Sequence, residues 1–188
     1  MSIKYIYFGE SLNDYVFDDI AGDDADVIVN AANGCGWMGS RQAQTSLCKG
    51  VAEHLSFYSN GLEDTAMKTA RRFSGVSSWI AGKRAGEVFR TPVTDAIRGK
   101  LKCREVFHAV TMRYPSMKCK LRTVRKLVPQ IFSMTSDAGY KSVAMPCLGC
   151  GTGGLDTDAV VNIIEEEARK YPELEVRIYI NKEREINE

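Results

Sequence analysis

Neither charge sign dominates this sequence: 25 Lys and Arg face 24 Asp and Glu over 188 residues. Overall charge therefore gives no reason to expect a polyanionic partner, and a nucleic-acid partner is not expected; such a role would need local clustering of cations. No apolar run approaches the roughly 20 residues that span a bilayer, so no membrane partner is expected. The opening stretch from Met1 to Glu10 lacks the apolar core and small-residue cleavage site of a secretory leader. A cytoplasmic location is the corresponding expectation. Repeats, low-complexity tracts and linkers are also missing, and residues 1–188 are expected to form one domain and a monomer. Histidine is scarce, with His54 and His108 only. The six cysteines (Cys35, Cys48, Cys103, Cys119, Cys147, Cys150) are scattered and read as reduced thiols rather than a disulfide framework. Cys147 and Cys150 form a C-x-x-C, but zinc would need two further ligands at matching spacing. The pair reads as small residues in a tight loop, and neither a metal nor a cofactor is expected.

What is present is an ordinary globular balance, 44% hydrophobic and 26% charged residues. Ile3–Phe8 reads as an opening strand, and Asp26–Asn30 as a short buried one. Helical patterning runs from about Thr45 to Tyr58 and again from Leu62 to Phe73. Strands are expected at Gly86–Pro92 and Val106–Val110. The clearest helix carries Leu121, Val124, Leu127, Val128, Ile131 and Phe132 on one stripe. Lys118, Arg122, Arg125 and Lys126 lie off that stripe and read as a solvated face. A strand at Ser142–Met145, a helix at Asp158–Lys170 stopped by Pro172, and a strand at Val176–Ile180 complete the order. Strands alternating with helices indicate an α/β layered domain with a mixed or mostly parallel sheet.

Two loops carry chemistry. Pro146–Asp156 lies between a buried strand and an amphipathic helix, and four of its residues (Gly149, Gly151, Gly153, Gly154) are glycines within six positions. Glycines let backbone N–H groups approach an anion, and a helix N-terminus adds a favourable dipole. No Gly-Lys-Ser/Thr follows, so the loop is not a P-loop. Gly149-x-Gly151-x-x-Gly154 does match a dinucleotide fingerprint, but that fold expects further strands and an acidic residue closing the next one. The next strand here closes on Ile180-Asn181, which makes a nucleotide-dependent dehydrogenase the weaker reading. The second loop follows the strand that begins at Asp26: Asn30-Ala-Ala-Asn33, then a glycine-spaced run through Gly36 and Gly39. The Asn33 amide suits a ribose diol, since it donates and accepts at once, or it merely caps the turn.

With these two loops in place the sequence resembles the macrodomain family. Asp26–Asn33 is similar to its Val-Asn-Ala-Ala-Asn signature, Gly86–Phe89 and Phe107–Val110 to its middle strands, and Pro146–Asp156 to its diphosphate loop. The matches occur in order from about residue 3 to 180. The resemblance implies a three-layer α/β/α fold with a mixed central sheet and a cleft at the carboxyl ends of the strands. It implies that this cleft holds ADP-ribose or an ADP-ribosylated substrate. It places Asn33 at the distal ribose, Gly36, Gly39 and Ser40 along the first loop, and Gly149, Cys150, Gly151, Thr152, Gly153 and Gly154 around the diphosphate. Adenine recognition falls to Glu10 and Ser11, where the family usually has Gly-Asp-Ile.

The same resemblance leaves binder and enzyme open. Met38–Gln42 carries no acid where many family hydrolases have Val-Asp-Gly. Gly153-Gly-Leu-Asp156 is instead close to a glycohydrolase branch resembling a chromatin-remodeller macrodomain. That branch implies Asp156 as acid/base and Lys49 as a nucleophilic amine, which would have to be neutral to attack. Asp156 reads equally as a helix N-cap, and Lys49 as a solvated helix lysine. Trp37 and Tyr114 either cover the ligand or pack at its rim. A hydrolase acting on an ADP-ribosyl ester, a glycosidic bond or ADP-ribose-1″-phosphate is the expectation, with a non-catalytic ADP-ribose reader as the alternative.

Overall fold

The computed structural model describes residues 2–8, 18–39 and 50–181. In chain order the elements are β1 (Ser2–Phe8), α1 (Asp18–Gly22), β2 (Val27–Asn33), α2 (Val51–Phe57), α3 (Leu62–Ala70), α4 (Ser78–Ala81) and β3 (Val88–Pro92). They continue as α5 (Asp95–Arg98), β4 (Glu105–Met112), α6 (Leu121–Asp137), β5 (Ser142–Pro146), α7 (Thr157–Ala168) and β6 (Glu175–Asn181). The strands form one sheet in the order β1-β6-β5-β2-β4-β3. Every pairing is parallel except β3 with β4, so the sheet is mixed, as expected. This order differs from the all-parallel doubly wound sheet of dinucleotide-binding enzymes.

Period-two alternation sorts the sheet's side chains into two cores. Val27, Val29, Phe107, Ala109, Val143 and Met145 meet the stripes of α6 and α7, including Leu127, Ile131 and Ile164. Ile28, Val106, Val110 and Ala144 face the other way, onto Leu55 of α2 and Leu62, Ala66 and Ala70 of α3. Two helical layers thus enclose the sheet, giving the three-layer α/β/α architecture.

β2 runs three residues beyond its expected end. Its Asn30 does not start a turn but sits fully buried opposite His108 of β4, with Nδ2 3.1 Å from His108 Nδ1. His108 Nε2 lies 3.2 Å from Thr91 Oγ1 of β3, and its ring stacks on Phe89. Burial holds the imidazole neutral, with its pKa pushed down to about 3. The described part of the first expected helix is α2; its earlier residues, 45–49, lie outside the described residues. The short helices α1, α4 and α5 carry too few residues to show a period.

Candidate functional site

The carboxyl ends of the parallel strands bring three loops together. β2 leads to α2 and α3 in one helical layer, while its neighbour β5 leads to α7 in the other. Adjacent strands whose connections diverge to opposite faces leave a crevice between them. The ladder itself opens there: β2 and β5 pair only at Val27 with Val143 and Ile28 with Ala144. Beyond those pairs β2 continues to Asn33 and β5 to Pro146 without pairing with each other.

The first loop is fixed from several directions. Asn33 Oδ1 accepts from the amides of Cys35 (3.1 Å) and Trp37 (3.3 Å), and its Nδ2 donates to Trp37 O at 2.7 Å. The Asn33 side chain therefore holds its own turn, the cap-like role that sequence left open beside a ribose contact. Glu63, buried on α3, accepts from Met38 N at 3.1 Å. Gly36, at φ +74°, lies so near α3 that a Cβ would stand 2.7 Å from Ala66 O. A Cβ on Gly34 would stand 2.2 Å from Lys83 O, and one on Gly82 2.1 Å from Gly34 O. Only glycine permits that approach of two backbones. Arg113 reinforces the join, its guanidinium donating to the carbonyls of Trp79 (3.2 Å) and Ile80 (3.1 Å).

The second loop folds on itself. Leu155 N donates to Gly149 O, Gly154 N to Gly151 O and Cys150 N to Cys147 O, each at 3.1 Å. The segment after β4 braces it: Cys119 N donates to Gly153 O at 3.1 Å, and the Cys119 side chain packs on Gly149. Among the described residues the amides of Gly149, Thr152 and Gly153 donate to nothing. Gly149 and Gly153 are buried, and buried amides without a partner are rare in folded chains. Gly151 is exposed, with open space where a side chain would go. The ammonium of Lys118 lies 3.0 Å from where a Gly154 Cβ would stand, which puts a cation at the loop. α7 begins directly beyond. Unpartnered N–H groups, a helix N-terminus and a lysine make this loop suited to an anion.

Asp156 is exposed and caps α7, its Oδ1 accepting from Ala159 N at 2.7 Å. Cys147 and Cys150 are not joined to each other by a disulfide, and no group of three His, Cys, Asp or Glu among the described residues could hold a metal. Burial raises the pKa of the Cys35 and Cys119 thiols, so both stay protonated and poorly nucleophilic. No helix among the described residues is long and apolar enough to cross a membrane.

Asn33, Gly36 and Gly39 fall in the first loop and Gly149–Gly154 in the second. Glu10, Ser11, Ser40 and Lys49 lie outside the described residues. Sequence reasoning missed Gly34, Gly82, Arg113, Lys118 and Cys119. The glycines do so by backbone proximity across some 50 residues. Cys119 carries no local motif, so nothing in the sequence marked it.

The Macro domain family model matches residues 29–164. An uncharacterised protein of Aquifex aeolicus (strain VF5) is 32% identical over 151 residues, covering 79% of this chain and 75% of that protein. Among solved structures, the macrodomain of Mycobacterium tuberculosis DarG superposes with a TM-score of 0.71 at 20% identity, over 94% of this chain and 96% of that one. Thermosipho africanus DarTG in complex with ADP-ribose gives 0.67 at 20% identity, over 88% and 40%. The crevice between β2 and β5, the two glycine loops and the family match lead to one conclusion: the chain belongs to the macrodomain family.

Proposed function

We propose that the chain binds ADP-ribose, or a derivative of it, in the crevice between the loops after β2 and β5. The observation that carries this reading is the set of uncommitted amides at Gly149, Thr152 and Gly153, held in a loop whose turns need glycine at 149, 153 and 154. A diphosphate placed there would accept from them and lie beside Lys118 and the start of α7. The DarTG complex with ADP-ribose supports the choice of ligand, being a structure of the same fold. Asn33 would stand at the distal ribose, Gly36, Gly39 and Ser40 along the first loop, and Glu10 and Ser11 at the adenine.

The bound group is then hydrolysed, as an ADP-ribosyl ester, a glycosidic bond or ADP-ribose-1″-phosphate, with Asp156 as acid/base and Lys49 as the amine. One observation favours the alternative of a non-catalytic reader: the Asp156 carboxylate already accepts from the helix it caps. Calorimetry with ADP-ribose beside turnover assays on the three substrate types tests both. Micromolar or tighter binding is expected, with AMP and adenosine much weaker. Tight binding without turnover of any derivative leaves the reader; no binding of ADP-ribose sinks both.

A further inference from the structure

The loop after β5 opens on Cys147-Leu-Gly-Cys150, two thiols whose sulfurs have no part in the ADP-ribose reading. The four residues fold as a hydrogen-bonded turn. Cys150 N donates to Cys147 O at 3.1 Å, and Gly149, third in the turn, takes φ +81°. A positive φ at the third position is what a type II turn requires. The ends of a β-turn lie within about 7 Å of each other, Cα to Cα, and a disulfide bridges about 4.4–6.8 Å. Cys150 lies in the core beneath α6 and α7, and Cys147 packs against that same core. The two side chains therefore leave the ends of one turn toward the same side, and no bond joins them here.

Burial separates the cysteines by access. Cys35, Cys103, Cys119 and Cys150 are buried, and among the described cysteines Cys147 alone is open to solvent. Burial also keeps Cys35, Cys103 and Cys119 protonated, Cys103 with its pKa pushed up to about 12. An oxidant arriving from water therefore meets Cys147 first, and the thiol at the other end of its turn is Cys150. The Cys150 thiol now donates to Asp156 O at 3.7 Å, which ties the loop to the residue that caps α7. Drawing that sulfur across to Cys147 breaks the tie. It also tightens the turn that carries the Gly149 amide, one of the three left uncommitted for a diphosphate.

We propose that Cys147 and Cys150 form an oxidation site, joined by a peroxide into a disulfide that disables the anion cradle of this loop. The Cys147 sulfur attacks one peroxide oxygen and the O–O bond breaks. The departing oxygen takes the thiol proton and leaves as water, and Cys147 becomes a sulfenic acid. The Cys150 sulfur then attacks the Cys147 sulfur, the S–O bond breaks, and the hydroxyl leaves with the Cys150 proton as a second water. Two thiols are oxidised and one peroxide is reduced. The disulfide does not depend on the ADP-ribose reading; its effect on binding rests on it.

The test treats the full chain with hydrogen peroxide, alkylates the remaining thiols and digests with trypsin. Residues 142–169 hold no internal Lys or Arg, so Cys147 and Cys150 share one tryptic peptide and Cys119 falls on another. The shared peptide should escape alkylation and be lighter by two hydrogens, and dithiothreitol should restore it. In calorimetry the oxidised chain should bind ADP-ribose on the order of tenfold more weakly than the reduced chain, the loss of one hydrogen bond to a charged group. Cys147→Ser, shown by its thermal melt to fold, should bind alike before and after peroxide. Four results would each overturn the proposal: a link from Cys147 to any other cysteine, sulfinic acid at Cys147 with Cys150 still reduced, an oxidised chain that binds as tightly as the reduced one, or a peroxide effect that survives Cys147→Ser. A reduced chain that binds no ADP-ribose would instead sink the ligand reading, and the peptide mass would still decide the disulfide.

Discussion

Gly149 lies against Cys119 so closely that a Cβ on the glycine would stand 2.8 Å from the cysteine sulfur. This contact joins the loop after β5 to the segment after β4 and fixes the shape of the anion cradle from behind. Gly149 also adopts φ +81°, which costs an L-residue about 1–2 kcal/mol before any overlap is counted. Gly149→Ala should therefore destabilise the fold by about 2–4 kcal/mol. A urea unfolding curve with an unchanged midpoint would show that the loop is looser than its packing indicates.

Gly151 makes the complementary test, because a side chain there meets open space. Gly151→Glu should leave the melting temperature within a degree or two but abolish ADP-ribose binding. A like charge ~4 Å from the diphosphate opposes it by on the order of 4 kcal/mol at intermediate dielectric. Calorimetry decides: a variant that binds as well as wild type puts the ligand somewhere else.

Asp156 separates catalysis from capping. Loss of the Ala159 N–H acceptor in Asp156→Ala should cost ~1 kcal/mol of stability, and Asp156→Ser or Asp156→Asn should restore most of it. If the carboxylate also moves a proton, turnover should fall roughly 10²–10⁴-fold in all three variants, including the two that restore stability. Turnover that recovers together with the melting temperature would reduce Asp156 to a cap.

His108 sets an acid limit on the fold. Its folded pKa is about 3, against roughly 6.5 in an unfolded chain. Between these values the unfolded state binds a proton that the folded state refuses, so stability is full above pH 6.5 and falls as pH drops. At pH 5 the loss should be about 2 kcal/mol, taking ~1.4 kcal/mol per pH unit. Comparing urea midpoints of wild type and His108→Asn at pH 7.5 and 5 isolates this from the carboxylates. Equal pH dependence in the two proteins would rule it out.

Most of the layer order could be read from the chain because it rests on local periodicity. The α6 stripe from Val124 to Phe132 and the alternation of Val27, Ile28 and Val29 each declare a buried face within a few residues, while Leu121, at the head of the expected stripe, is exposed. The glycine loops were legible for a related reason, since their composition is too costly for a simple turn. Asn30 was not read as core, because its partner His108 lies 78 residues away and a lone asparagine looks like a strand end. The bracing of the second loop by Cys119 and the apposition of Gly34 and Gly82 were invisible for the same reason. The antiparallel β3 also escaped, as direction leaves no trace in side-chain alternation.

The short ladder between β2 and β5 has a mechanical consequence. Seven register pairs join β1 to β6 and β2 to β4, but only two cross this seam. The sheet is thus two plates with long ladders joined through a short one, and the crevice opens at that seam. A diphosphate gripped by the β5 loop, with its ribose on the β2 loop, would rivet the plates together. Ligand occupancy would then slow amide exchange along both strands down to Val27 and Val143, well beyond any atom the ligand touches.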